Sequence, residues 1–254
     1  MQDPSRYHEH GRSTSIDLDY RLSMESYIQN SLGTSYEKYQ NFPKYTSRQS
    51  IARYIALYEI FKISLHTQGD IIEGGVNWGG GLMWAAQLSA MLEPFNLQRR
   101  IIGFDTFEGF PSLHSKDDSI NSGKEHTKGG YAAHSYDDLL MCISNFDKNR
   151  AIGHISKVSL IKGDATLTMP QYLKDNPHTI VSLLHLDFDI YEPTISAIKT
   201  FLPRMPKGAV IVFDEINCPK WPGETQAVIE SIGLNNLEIK RFSYEPYISY
   251  AIIN

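Results

Sequence analysis

Between residues 70 and 215, five apolar runs each end on or next to an acid: DIIEGG (70–75), RIIGFD (100–105), KVSLIKGD (157–164), TIVSLLHLDFD (179–189) and GAVIVFDE (208–215). Segments with helical spacing follow most of them, from about Gly79 to Leu92, around Met169 to Leu173, from Pro193 to Leu202 and from Glu224 to Ile232. Near-continuous Ile, Val and Leu, rather than strict alternation, is what a strand buried on both faces requires, and intervening helices make such strands parallel. Two later runs, LEIKRF (237–242) and YISYAII (247–253), flank Ser-Tyr-Glu-Pro and read as an antiparallel closing pair. The expectation is a doubly wound, Rossmann-like α/β domain with a mostly parallel seven-stranded sheet and an antiparallel C-terminal strand. An amphipathic helix carrying Ile51, Tyr54, Ile55, Tyr58 and Phe61 precedes the first strand, so the domain is expected over 47–254. Residues 1–46 are polar and read as an N-terminal arm with one short helix around Leu22 to Leu32.

A chain of 254 residues supports one sizeable core, and its 41% apolar and 21% charged residues are ordinary for a folded soluble domain. A formal net charge of −5 argues against the basic surface that nucleic acid demands. Cys142 and Cys218 stand alone, which suggests neither zinc nor a disulfide framework. No apolar run approaches the roughly 20 residues that span a bilayer, and MQDPSRYHEHGRSTS lacks a signal-peptide core, so a cytoplasmic protein without a membrane partner is expected.

In doubly wound folds, ligands bind beyond the carboxyl ends of the strands, where Glu73, Asp105, Asp164, Asp187, Asp189, Asp214 and Glu215 all fall. One such acid is commonly a helix cap, but acids at five consecutive exits call for another explanation. The first turn, EGGVNWGGG (73–81), is glycine-rich, yet Val76 and Asn77 occupy places where G-x-G-x-x-G needs glycine, which weakens nicotinamide or flavin binding. Read as E-x-G-x-N-x-G, with Glu73, Gly75, Asn77 and Gly79, it resembles motif I of class I S-adenosylmethionine (SAM) methyltransferases. An acid suits the ammonium and sulfonium of that donor; Asp105 would take its ribose hydroxyls and Asp164 its adenine amino group. The donor set is then Glu73, Gly74, Gly75, Asn77, Gly79, Asp105, Thr106 and Asp164.

In LLHLDFDIYEPT (183–194), an extended chain would aim Asp187 and Asp189 to one side. If the next strand ends at the same height, Asp187 meets Asp214 and Glu215. Crowded carboxylates repel unless a cation neutralises them, and hard oxygen ligands suit Mg²⁺ or Ca²⁺. His185, two residues inside the strand, reads as a buried structural histidine.

The segments IIEGGVNWGGG, GFDTFEGFP, KGDA, LHLDFDIYEPT and KGAVIVFDEI occur in the order of the TylF/MycF-type macrocin O-methyltransferases, which this chain resembles over about residues 47–233. The resemblance implies a class I methyltransferase fold, SAM and Mg²⁺ as cofactors, and a sugar hydroxyl as acceptor. It also implies a homo-oligomer, Asp187 as metal ligand and general base, and Asp214 as second ligand. Where the family has Asp-Asp, this chain has Asp214-Glu215, with Glu215 as the third candidate ligand. Catechol-type O-methyltransferases place their lysine base three residues beyond the first metal aspartate, where Ile190 stands here. An NAD-dependent oxidoreductase and a non-catalytic scaffold are the remaining alternatives. The long polar segment 106–135 reads as a lid or acceptor loop, and Lys220 and Trp221, with Tyr191, as acceptor contacts.

Overall fold

A computed structural model describes residues 13–120 and 122–254. The first twelve residues of the expected arm, and Asn121 of the expected loop, lie outside the described residues. The chain divides into two compact units, with the boundary between Ala52 and Arg53.

The first unit holds α1 (Ser15–Asn30) and α2 (Ser35–Gln40), followed by a single 3-10 turn. Both helices open on capping boxes, Thr14 with Asp17 and Thr34 with Glu37, in which hydroxyl and carboxylate satisfy each other's backbone N–H. The first box starts α1 seven residues ahead of the expected Leu22, because the helix is set by its cap and not by an apolar stripe. Helix α3 (Arg48–Ser64) contains the boundary.

The second unit is a seven-stranded sheet, β1 (Asp70–Gly74), β2 (Ile101–Asp105), β3 (Val158–Lys162), β4 (Val181–Leu186), β5 (Val210–Phe213), β6 (Lys240–Arg241) and β7 (Ser249–Ile252). Their order is β3-β2-β1-β4-β5-β7-β6, with the first five parallel and β7 antiparallel to both neighbours. Each central strand buries successive residues on opposite faces. Ile71, Ile101, Leu183 and Val210 pack with Ala56, Ile60 and Phe61 of α3, with α4 (Gly80–Leu92), and with α5 (Tyr136–Lys148). Ile72, Ile102, Leu184 and Ile211 pack with α6 (Ala165–Asp175), α7 (Tyr191–Phe201) and α8 (Pro222–Ser231) on the other side. Unbroken apolar runs are the consequence of filling both faces. Among the described residues no helix is long and apolar enough to cross a membrane.

The carboxyl ends of the strands finish level, because the parallel ladder runs one residue past each of them. Gly163 N–H donates to Asp105 O, Gly75 N–H to Phe104 O, Asp187 N–H to Gly74 O and Asp214 N–H to Leu186 O, all at 2.9 to 3.1 Å. The order of connection reverses at β1, between β2 and β4, so the crevice opens where Gly75 leaves β1 and Asp187 leaves β4. Gly75 has φ +85°, and a Cβ there would collide with the carbonyl oxygen of Asp187. Gly75→Ala is therefore expected to cost roughly 2 kcal/mol or more in unfolding free energy, from left-handed backbone and overpacking together. Urea denaturation checks this; an unshifted midpoint would mean that the turn has room to relax.

Candidate active site

A cavity opens at the switch point, and residues from the exits of four strands, β1 to β4, line it. Glu73, Gly75, Asn77, Asp105, Thr106, Asp164, Asp187 and Asp189 are on its wall, together with Arg53, Tyr54, Trp78, Phe110 and Tyr131. Gly74 and Gly79, expected to contact the donor, are spacers instead: a Cβ on Gly74 would strike the Phe188 ring, and one on Gly79 would strike Leu139.

On the donor side, Asp105 Oδ2 accepts Asn77 N–H at 2.7 Å and Oδ1 accepts Phe107 N–H at 2.6 Å. Both amides belong to residues with positive φ, 50° and 58°, so this carboxylate pins two left-handed turns. Asp164 caps α6, its Oδ1 accepting Thr166 N–H at 2.9 Å and Thr166 Oγ–H at 2.7 Å. Thr106 Oγ–H donates to Gly109 O at 2.6 Å, closing the turn that starts the 106–135 segment. Glu73 is buried beneath the start of α4, where only glycine at position 81 leaves its carboxylate room.

On the acid side, Leu186 of β4 pairs with Phe213 of β5, so Asp187 and Asp214 leave neighbouring strands at one height. Arg53 of α3 spans them: Nη2 lies 2.9 Å from Asp187 Oδ2 and Nη1 lies 2.8 Å from Asp214 Oδ1. His185 is buried behind, Nδ1 3.8 Å from Glu73 Oε2 and Nε2 3.5 Å from Asp214 Oδ1; the Nε2 contact is too poorly aligned for a hydrogen bond. Burial and the neighbouring Asp214 push Asp187 up to about 7. Burial acts the same way on Asp214, but Arg53 and His185 outweigh it and hold that carboxylate at about 2. Burial would lower His185, yet Asp214 and Glu73 lift it to about 10, so the imidazole is held as a cation. Asp214 and Glu73 thus share the buried charge of His185, which is more than the inert packing histidine that position in the strand suggested.

Among the described residues, the group whose ligand atoms all lie within 4.8 Å of one another is His185, Asp187 and Asp214. The two carboxylates bridged by the guanidinium offer oxygen donors of the kind that suit a hard divalent ion. Glu215 is outside this group. Its amide donates to Glu224 Oε1 at 2.8 Å, turning the chain, while its own Oε2 is buried without a partner. Burial and the nearby Asp189 and Asp214 push its carboxyl up to about 12. Asp187 and Asp189 both reach the cavity wall, but not as neighbours on an extended chain: β4 stops at Leu186, and Asp189 has φ +63°.

The acceptor contacts expected from sequence lie behind the cavity wall. Trp221 is 3% exposed, packed with Phe110, Ile190 and Cys218 and stacked on His126 at 4.8 Å between ring centroids. Lys220 pairs with Glu125 at 2.5 Å. Tyr191 donates its hydroxyl to Glu230 at 2.8 Å and its amide to Asp117 at 2.7 Å. These contacts dock segment 106–135 on the rest of the unit, and Gly109, Phe110, Pro111, Gly130 and Tyr131 of that segment form part of the wall. Arg53 escaped the sequence reading, although a lone cation between Ile51, Tyr54 and Ile55 on an apolar helix was a signal that a buried acid waits opposite.

The architecture is that of a class I methyltransferase. The macrocin-O-methyltransferase (TylF) family profile matches residues 58–230, and the chain belongs to that family. It is 24% identical over 153 residues to the 8-demethyl-8-(2,3-dimethoxy-alpha-L-rhamnosyl)-tetracenomycin-C 4'-O-methyltransferase of Streptomyces olivaceus. That match covers 58% of this chain and 52% of the relative, about half its length. Among solved structures, the calicheamicin methyltransferase CalS11 superposes with a TM-score of 0.90 at 29% identity, covering 99% of this chain and 97% of its own. An apo structure of CalS11, described as a TDP-rhamnose 3'-O-methyltransferase, gives 0.81 at 28% identity over 94% and 95%. The O-methyltransferase NovP shares the fold, with a TM-score of 0.59 at 18% identity over 80% of each chain.

Glu224 is fully buried, with Oε1 bonded to the Glu215 amide and Oε2 unpartnered, and burial together with Asp214 pushes its carboxyl well above the usual range. The folded chain therefore keeps a proton that the unfolded chain loses at an ordinary carboxylate pKa. Its stabilising contribution is complete below that pKa and declines as pH rises toward the folded value. Glu224→Gln keeps the acceptor oxygen and has no proton to lose, so it should gain on the wild type by up to about 1.4 kcal/mol per pH unit as pH rises above the ordinary carboxylate range, until the folded value is reached. Urea midpoints of both proteins across that range check it; a constant difference would mean that Glu224 is ionised in the fold.

Proposed function

We propose that this chain is a SAM-dependent O-methyltransferase acting on a sugar hydroxyl of a nucleotide sugar, a polysaccharide precursor or a glycosylated natural product, with Asp187 as general base and a hard divalent cation, Mg²⁺ foremost, held by Asp187 and Asp214. One observation carries the reading: the donor acids Glu73, Asp105 and Asp164 and the base candidate Asp187 line a single cavity, so donor and acceptor meet there. Family membership and the sugar-directed activities in the names of both relatives support it.

The donor supplies an electrophilic methyl carbon. Glu73 offers charge to its amino-acid portion, Asp105 accepts from the ribose hydroxyls, and Asp164 meets the adenine amino group. The acceptor oxygen forms the new bond to the methyl carbon as the carbon–sulfur bond breaks, the electron pair of that bond staying on sulfur. The hydroxyl proton passes to the Asp187 carboxylate. The chemistry a divalent cation supplies when bound is acidification of the acceptor hydroxyl. Phe110 and Tyr131 close the wall on the acceptor side and present apolar ring faces to a sugar. The catechol-type alternative lacks its lysine: Ile190 is buried in the cluster with Trp221.

Calorimetric titration with S-adenosylhomocysteine, with NAD⁺ in parallel, tests the donor assignment, and TDP-sugars or glycosylated aglycones then serve as acceptors. Binding of the homocysteine compound alone is expected; binding of NAD⁺ alone would replace this reading with an oxidoreductase. Asp187→Asn is expected to lower turnover by about 10²-fold or more while donor affinity holds, since base catalysis contributes that much. Undiminished turnover would remove Asp187 from the mechanism. Chelation with EDTA should stop turnover and Mg²⁺ restore it; full activity in EDTA would refute the cation.

A further inference from the structure

Arg53 is the single basic side chain among the described residues that line the cavity, and the methyl transfer derived above gives it no part. Its geometry is specific. The two terminal nitrogens go to different carboxylates, one to Asp187 and one to Asp214, so the guanidinium bridges the strand ends and does not grip one acid in a fork. The oxygens it holds belong to the same two carboxylates that would ligate a divalent ion, and Asp214 Oδ1 is buried, with His185 Nε2 3.5 Å away. A divalent ion seated against Asp187 Oδ2 and Asp214 Oδ1 would meet the guanidinium at strongly repulsive range. The Arg53 side chain is nevertheless 30% exposed on the cavity side, and its long flexible stem can swing into that space.

We propose that Arg53 is a built-in placeholder cation: it neutralises Asp187 and Asp214 before loading and has to be displaced for a divalent ion to enter. The inference rests on the cation site assigned under the proposed function. Physically, adjacent strands that end level bring two carboxylates together whether or not an ion is present, and leaving them uncompensated would be costly. A tethered guanidinium removes that cost in the free protein. It also makes ion affinity the outcome of a competition, and it occupies an oxygen of Asp187 until the competition is lost. Ion loading thereby becomes a condition for freeing the base.

The test is direct titration of Mn²⁺ into the full chain without acceptor, with free Mn²⁺ followed by its paramagnetic resonance signal, for wild type, Arg53→Gln and Arg53→Lys. Removing the competitor should tighten Mn²⁺ binding at least tenfold in Arg53→Gln. Arg53→Lys keeps one charge for folding but cannot bridge two acids with separate nitrogens, so it should fall between the two. It stands in as the decisive variant if Arg53→Gln does not give a cooperative unfolding transition. Mn²⁺ binding no tighter in either variant than in wild type would overturn the placeholder while leaving the cation site intact. No Mn²⁺ binding by any of the three would overturn both, and would leave the donor and base assignments to the separate titrations above.

Discussion

The pairing of Leu186 with Phe213 is the constraint from which the site follows. Once β4 and β5 end level, the next residue of each strand is a carboxylate, and two like charges are forced together at the edge of a low-dielectric sheet. Arg53 in front and His185 behind supply the compensating charge. Other features serve that arrangement. Helix α3 supplies Arg53 to the strand ends, and the turn after β1 must be glycine at position 75 to pass under the Asp187 carbonyl. Asp187 and Asp214 shift in opposite directions, one raised to about 7 and one held at about 2.

A second layer of acids supports the first without facing the cavity. Glu224 and Glu215 are driven toward their neutral forms by burial, and one fixes the turn of the other through the Glu215 amide. Asp117 joins the long segment to the start of α7 by accepting the Tyr191 amide, and its own carboxyl is raised by burial. Trp221 and His126 stack behind Phe110 and Tyr131, so the residues that sequence offered as acceptor contacts act one layer back, holding the wall that an acceptor would touch.

How much of this was legible in the chain depended on the kind of signal. Strands buried on both faces leave continuous apolar runs, and β1 to β5 were read from them; the glycine spacing after β1 and the acids at the exits marked the ligand edge. Helix α1 was misplaced because its start is written in the Thr14–Asp17 cap and not in hydrophobic periodicity. Asp187 and Asp189 share the cavity wall, but the extended strand assumed to bring them there ends first: φ +63° at Asp189 is a backbone state that alternation rules do not reveal. Trp221 and Tyr191 were overread for a related reason, since an aromatic near an active acid looks the same in sequence whether its ring faces ligand or core.

The order of apolar runs and the acids that close them determined by themselves the doubly wound sheet and the position of Glu73, Asp105, Asp164, Asp187 and Asp214 along its carboxyl edge, because periodicity and strand-end chemistry are local. The bridging of Asp187 and Asp214 by Arg53, across 134 and more positions of chain, was decided only by tertiary structure. So were the exclusion of Glu215 from the convergent group and the burial of Trp221. Each depends on side chains from distant segments competing for the same few ångströms at the sheet edge, and on burial that sets which of them keep their charge.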